Sequence, residues 1–150
     1  LNNQKMKFLI FLILSISSII LLNTYGQAGN PPANVTKSFT QKFPAAQSIK
    51  WFKEVKVFKA VFKEDGIHYE ALYNGNGDWL KTQRTISMLE VPESVKTGLI
   101  NSKFSTWKLN AVYVLFFPGM ITQYRLVVTN GNDTVNLLFG WDGKLLDDEF

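Results

Sequence analysis

His68 is the one side chain whose ordinary pKa suits general-base work near neutral pH, and it stands alone: there is no second histidine and no cysteine. A base does hydrolytic work only beside a positioned nucleophile and an orienting group. His68 sits instead within Ile67-His-Tyr-Glu-Ala-Leu-Tyr73, an alternating run with aromatics and a glutamate around it. It reads as an ordinary strand residue. Oxygen ligands fare no better. Asn74-Gly-Asn-Gly-Asp78 opens like a calcium loop, but the bidentate glutamate such a loop needs at its twelfth position is Thr85. Asparagine and glycine at these positions suit a hairpin turn. Asp142, Asp147, Asp148 and Glu149 could gather a divalent ion, but such a tail reads first as a solvated, frayed terminus. Without cysteine there is no thiol catalysis, disulfide or thiolate metal site. No metal or cofactor is implied, and an enzyme is the least favoured class.

Binding chemistry is better represented. Phe58, Ala60 and Phe62 alternate with Lys59, Val61 and Lys63, and Tyr69, Ala71 and Tyr73 with His68, Glu70 and Leu72. Because strand side chains alternate between faces, Lys59, Val61, Lys63, His68, Glu70 and Leu72 must share the face opposite the aromatics. That face is either a solvated surface that blunts edge pairing or a contact surface for a partly apolar, acidic partner. A second candidate is the tip Phe116-Phe-Pro-Gly-Met120, where Phe117 and Met120 would form a contact patch if exposed. The formal charge of +4 includes Lys5 and Lys7; without them it is +2. That is too slight a field for a nucleic-acid partner, which calls for clustered Lys and Arg.

The elements that position these residues follow from period and punctuation. Asn30-Pro-Pro32 precedes Val35, Phe39 and Phe43, one apolar stripe at helical spacing closed by Pro44. Ser48–Glu54 is a first strand bearing Trp51. A hairpin turning at Asp65-Gly66 comes next, because a primed turn needs positive φ that glycine adopts freely. Trp79–Ile86 is a fourth strand, whose adjacent Trp79 and Leu80 leave its buried face undecided. Pro92-Glu93 opens a second helix carrying Val95 and Leu99. Trp107, Leu109, Ala111 and Tyr113 alternate as a strand. Thr122–Thr129, Thr134–Gly140 and Lys144–Leu146 complete the second set. Tyr124, Leu126 and Val128 echo Phe58, Ala60 and Phe62. Val135, Leu137 and Phe139 echo Tyr69, Ala71 and Tyr73, and Gly143 echoes Gly77. The expected fold is therefore α+β: two tandem α-ββββ repeats, about 31–86 and 92–146, with both helices on one face of an antiparallel sheet. Trp51 and Trp107 are expected to be buried at equivalent places.

Ahead of this domain, Met6-Lys7 and the run Phe8 to Leu22, apolar except for three serines, read as an export signal. The run is short of the roughly 20 apolar residues of a membrane span. Thr24-Tyr-Gly26 sets small residues for a cut before Gln27, and a cut after Ala28 is nearly as suitable. Residues 1–26 are thus assigned to the signal, with 1–5 upstream of it, and 27–150 to a single domain. The destination is the periplasm or the exterior, and contact with membrane is expected only through the signal before cleavage.

The chain resembles the PepSY-like family whose fold is likened to a β-lactamase inhibitor protein, small exported proteins of Gram-negative bacteria. The resemblance rests on Val35 to Pro44, Trp51, Phe58 to Phe62, Tyr69 to Tyr73 and Gly77-Asp-Trp79. In the second half it rests on Pro92 to Val95, Trp107 and Gly140-Trp-Asp-Gly-Lys-Leu-Leu146. It implies a curved sheet and an exported, non-enzymatic domain, without implying a ligand. A bacterial source makes the glycosylation patterns at Asn34 and Asn132 chance matches. The leading functional expectation is a binding or inhibitory module for an envelope or secreted protein, acting through the helix-free face. The alternative is a structural or envelope-stress protein contacting peptidoglycan, lipid or itself.

Overall fold

The computed structural model describes residues 27–149, so the expected export signal at 1–26 lies outside the described residues. In chain order the elements are β1 (Gln27–Ala28), α1 (Ala33–Lys42), β2 (Gln47–Lys53), β3 (Val57–Glu64), β4 (Ile67–Asn74) and β5 (Trp79–Thr85). After a 3-10 turn at Met88–Glu90 come α2 (Glu93–Ile100), β6 (Lys108–Phe117), a second 3-10 turn at Pro118–Met120, β7 (Ile121–Asn130), β8 (Asp133–Gly140) and β9 (Leu145–Glu149). The strands form one antiparallel sheet in which each lies beside its neighbours in sequence, from β1 to β9. A cut after Gly26 would keep β1, which pairs Gln27 with Lys53 and Ala28 with Phe52; a cut after Ala28 would remove it.

Helices of ten and eight residues are marginal on their own in water. Docking holds them. Val35 and Phe39 of α1 are fully buried on Phe58, Ala60, Phe62, Ala71 and Tyr73, and each such side chain contributes roughly 1.5–3 kcal/mol. Val95 of α2 is fully buried on a second cluster that includes Val112, Val114, Leu126, Val128 and Leu137. Register carries one face across the whole sheet: Ala60 faces Ala71, Ala71 faces Thr82, Thr82 faces Phe116, and Arg84 faces Val114. Both described helices therefore cover the same face, and among the described residues no helix lies on the other. At the two helix entries the backbone comes unusually close. A Cβ on Gly77 (φ +86°) would crowd the Asn34 carbonyl of α1, and one on Gly143 (φ +83°) would overlap the Ser94 carbonyl of α2.

Three expectations need correction. The acidic tail is not a frayed terminus: Leu145–Glu149 pairs with β8, and Asp148 bridges Lys103 at 2.8 Å. The alternation Trp107, Leu109, Ala111, Tyr113 does not hold, because the register shifts between Leu109 and Ala111. Leu109 stays with the helix-side core, Val112 and Val114 take over as its buried members, and Tyr113 turns to the other face. Trp51 and Trp107 are half-buried, each packed at the margin of its cluster. The fourth strand resolves in favour of Thr82, buried and accepting a 2.9 Å hydrogen bond from Trp79 Nε1. A register shift at Leu72 to Tyr73 is what sets Trp79 and Leu80 out of simple alternation.

Candidate functional site: the helix-free face

The hairpin β3–β4 turns at Asp65 and Gly66, both at positive φ. Its register sets Lys59 opposite Leu72, Val61 opposite Glu70 and Lys63 opposite His68. These six expected residues thus lie together on the face without helices. Lys59 is bound to Glu54 at 3.0 Å, so part of its charge is already met. His68 lies exposed beside the turn.

The same face continues through the second half of the sheet, where single-strand reasoning does not reach. Leu72 pairs with Lys81 and Glu70 with Gln83; beyond them Tyr113, Leu115 and Arg125 continue in register. Three shallow depressions run across this surface. One, of about 150 Å³, is lined by Val61, His68, Glu70, Gln83 and Tyr113 among others. The next, of about 190 Å³, lies among Glu54, Lys59, Glu70, Leu72, Lys81 and Arg125. The third, also about 190 Å³, lies among Lys81, Leu115, Phe117, Arg125, Leu138 and Asp147.

At the centre two cations, Lys81 and Arg125, line the same two depressions. Burial first, and then the Arg125 guanidinium, hold the Lys81 ammonium below its ordinary pKa, while Glu70 and Glu54 pull the other way. Arg125 lies 4.4 Å over the Tyr113 ring and donates one long 3.4 Å bond from Nη2 to Gln83 Oε1. Its buried Nε–H has no partner among the described residues. Gln83 in turn donates to Glu70 at 2.9 Å. Alternation around Tyr124 and Leu126 does send Arg125 to this face. What brings Lys81 to the same depressions is the strand order β5–β6–β7, which no short-range pattern encodes.

The second candidate, Phe117 and Met120, lines a separate cleft of about 470 Å³ with Lys42, Trp79, Phe116 and Ile121. Lys42 Nζ stands 3.5 Å over the Trp79 ring, and Met120 is 97% exposed. Phe117 also lines the third depression, so the cleft and the face share an edge.

The Asn74–Asp78 segment consumes its own polar groups. Asn74 Oδ1 accepts from the backbone N–H of Asn76 and of Asp78, and Asn74 Nδ2 donates to Asp78 Oδ2. It is a hairpin turn. Among the described residues no three His, Asp or Glu side chains gather as a metal site, and no helix is long and apolar enough to cross a membrane. The face offers cations, carboxylates, amides and apolar walls.

Comparison with solved structures places the architecture. A BLIP-like protein from Bacteroides fragilis NCTC 9343 superposes with a TM-score of 0.73 at 25% identity, over 82% of this chain and 88% of that one. A DUF2874 family protein from Bacteroides ovatus ATCC 8483 does so with a TM-score of 0.74 at 22% identity, over 81% and 88%. A proposed periplasmic protein from Bacteroides eggerthii DSM 20697 gives 0.73 at 22% identity, over 81% and 89%. No protein-family model matches the chain, and no curated protein matches it significantly. The fold is BLIP-like: α+β, one open antiparallel sheet with two helices among the described residues.

Proposed function

We propose that this chain is an exported, non-enzymatic binding or inhibitory module of PepSY-like kinship, built from two α-ββββ repeats, that holds its partner on the helix-free face. One observation carries the reading: apolar and charged side chains alternate across that face around three adjoining depressions, and among the described residues no element covers them. The likeness to a BLIP-like protein supports recognition over catalysis. Fold alone names no ligand, because function lives in the site, and no inhibitory residue is carried over with it. The apolar run Phe8 to Leu22, together with a structural neighbour proposed to be periplasmic, supports delivery to the periplasm or beyond. The repeat reading draws support from Gly77 and Gly143, which stand at the same kind of close approach to the two helices.

A second reading places the contact at the Phe117–Met120 tip, and the near-complete exposure of Met120 favours it. The two separate in one experiment. The mature protein is immobilised, an envelope extract is passed over it, and the partner recovered is measured by surface plasmon resonance. Lys59→Glu with Lys63→Glu should slow its association, because rim charges chiefly steer encounter. Leu72→Ala should hasten its release, as loss of an apolar anchor does. Lys63→Glu alone serves as the cleaner variant, since Lys59 already pairs with Glu54. Unchanged kinetics in all of these, with faster release from Phe117→Ala or Met120→Ser, would move the site to the tip. Recovery of glycan, lipid or the chain itself instead of a second protein would support a structural role in the envelope.

A further inference from the structure

Three carboxylates approach the paired cations at the centre of the helix-free face, and none is committed to them. Glu54 is bound to Lys59, Glu70 accepts from Gln83, and Asp147 accepts from the backbone N–H of Asp148. No carboxylate lies within ion-pair distance of Lys81 or Arg125 among the described residues. The guanidinium has donors to spare, with one long bond from Nη2 and an unpaired Nε–H. Two like charges lining the same half-buried depressions repel each other, and an anion seated between them would reverse the sign of that interaction.

We infer that Lys81 and Arg125 together anchor a single carboxylate, an aspartate or glutamate side chain that a protein partner presents between apolar residues. The inference rests on the binding-module reading above and adds the chemistry of its centre. The surroundings select the source. Each flanking depression is about 190 Å³, below the roughly 300–1,000 Å³ of small-molecule pockets. Leu72 walls one side of the pair, and Leu115, Phe117 and Leu138 wall the other. A free carboxylate ion would leave those walls in water, whereas an acidic side chain within an apolar segment covers both. Lysine supplies a point charge and arginine a planar fork, a combination suited to fixing the plane of one carboxylate.

The test uses the protein recovered from the producing cell, with three probes: a blocked leucine-glutamate-leucine peptide, its glutamine twin, and acetate. The readout is the Arg125 Nε–H resonance. The glutamate peptide should shift it saturably, about tenfold more tightly than its glutamine twin, the scale on which bonds to charged groups exceed neutral ones, and more tightly than acetate, which leaves the apolar walls in water. Lys81→Gln should weaken this binding by a similar factor while raising the thermal midpoint, because it relieves the repulsion between two half-buried cations. That opposite movement of binding and stability marks a recognition role, since a purely structural lysine would lose both. The inference is overturned if the glutamine peptide binds equally well, if no saturable shift appears at millimolar peptide, or if Lys81→Gln binds unchanged. Acetate binding as tightly as the peptide would overturn the protein source. All of these can fail while Lys63→Glu and Leu72→Ala still alter partner kinetics, so the anchor and the face are judged separately.

Discussion

The two halves of the sheet receive their helices on different materials. Under α1 the floor is aromatic: Phe39 meets Trp51 at 5.2 Å, Phe62 at 5.0 Å and Tyr73 at 6.2 Å between ring centroids. Under α2 it is mostly aliphatic, with Val112, Val114, Leu126, Val128, Val135 and Leu137 buried together. The shorter α2 also lies tight against the turn between β8 and β9, since a Cβ on Gly98 would overlap the Gly143 carbonyl. The first helix thus rests on rings, whereas the second rests mostly on small aliphatic groups and brings a glycine against the turn between β8 and β9. The same order of elements thus survives two packing solutions, as expected where filled volume counts for more than side-chain identity.

The sharpest way to break this comparison is to empty each core. Phe39→Ala should cost about 3–5 kcal/mol and Leu137→Ala about 2–5 kcal/mol. Because β5 and β6 pair continuously between the clusters, both variants should unfold in one transition by denaturant melts followed at two wavelengths. Two separated transitions in either variant would make the halves independent units. A smaller loss is expected at the tryptophans, which are half-buried: about 0.5–3 kcal/mol each, the range of ordinary destabilising changes. Trp51→Ala should lose more than Trp107→Ala, because Trp51 packs on Phe39 and Tyr73 while Trp107 packs edge-on against Phe104 alone among the aromatics described. The reverse order in matched melts would show that the second cluster depends on its margin more than its centre.

Much of this was legible in the sequence. Alternation in Phe58 to Phe62 and Tyr69 to Tyr73 assigns the faces of the first hairpin correctly, because period two leaves no freedom once one face is buried. It stops being informative where an extra residue enters a strand. The shifts at Leu72–Tyr73 and Leu109–Ala111 each exchange the faces of the residues beyond them, and neither Trp79-Leu80 nor Trp107–Tyr113 announces it. The acidic tail misled for a different reason. Its charges suggest solvent, yet at a sheet edge Asp148 can face Lys103 while its backbone pairs with β8. Half of the candidate face was readable from β3 and β4. The convergence of Lys81 and Arg125 on the same depressions was not, since it depends on which strands become neighbours.

A gain in stability sharpens the comparison further. Tyr73 is fully buried in the aromatic floor with its hydroxyl unpaired among the described residues, and the residue that echoes it in the second half is Phe139. Burial pushes the Tyr73 phenol up to about 12. An unsatisfied buried hydroxyl costs about 1–3 kcal/mol, so Tyr73→Phe should stabilise the protein by about 1 kcal/mol. The phenol holds its proton to higher pH in the fold than in the unfolded chain. Its contribution is therefore intact below pH 10.0 and lost as the pH rises from there toward 12. Melts across that window should slope downward in the parent and less so in Tyr73→Phe. Identical slopes would place the alkaline loss elsewhere.

The smallest effect is expected at the joint between the halves, where Arg84 at the end of β5 donates to Glu90 Oε1 at 2.9 Å and the Ser87 backbone N–H donates to Glu90 Oε2 at 2.9 Å. The Ser87 N–H, and next the Arg84 side chain, hold the Glu90 carboxyl below its ordinary 4.5. A carboxyl depressed in the fold contributes fully above its unfolded value, and that contribution is lost as the pH falls below 4.5 through the folded value. Glu90 is exposed, and solvent screens such pairs strongly, so Glu90→Gln should lower the neutral-pH melt less than any other destabilising change above. It should also flatten the acid side of the stability profile. Arg84 itself lies on the helix side in register with Val114, against the second cluster's strand. If the joint couples the halves, Glu90→Gln and Arg84→Met should show an interaction energy in a double-mutant cycle, because both changes remove the same contact. Strict additivity would mean that the Ser87 cap alone fixes Glu90, and that the continuous sheet, with no help from the ion pair, is what joins the aromatic half to the aliphatic one.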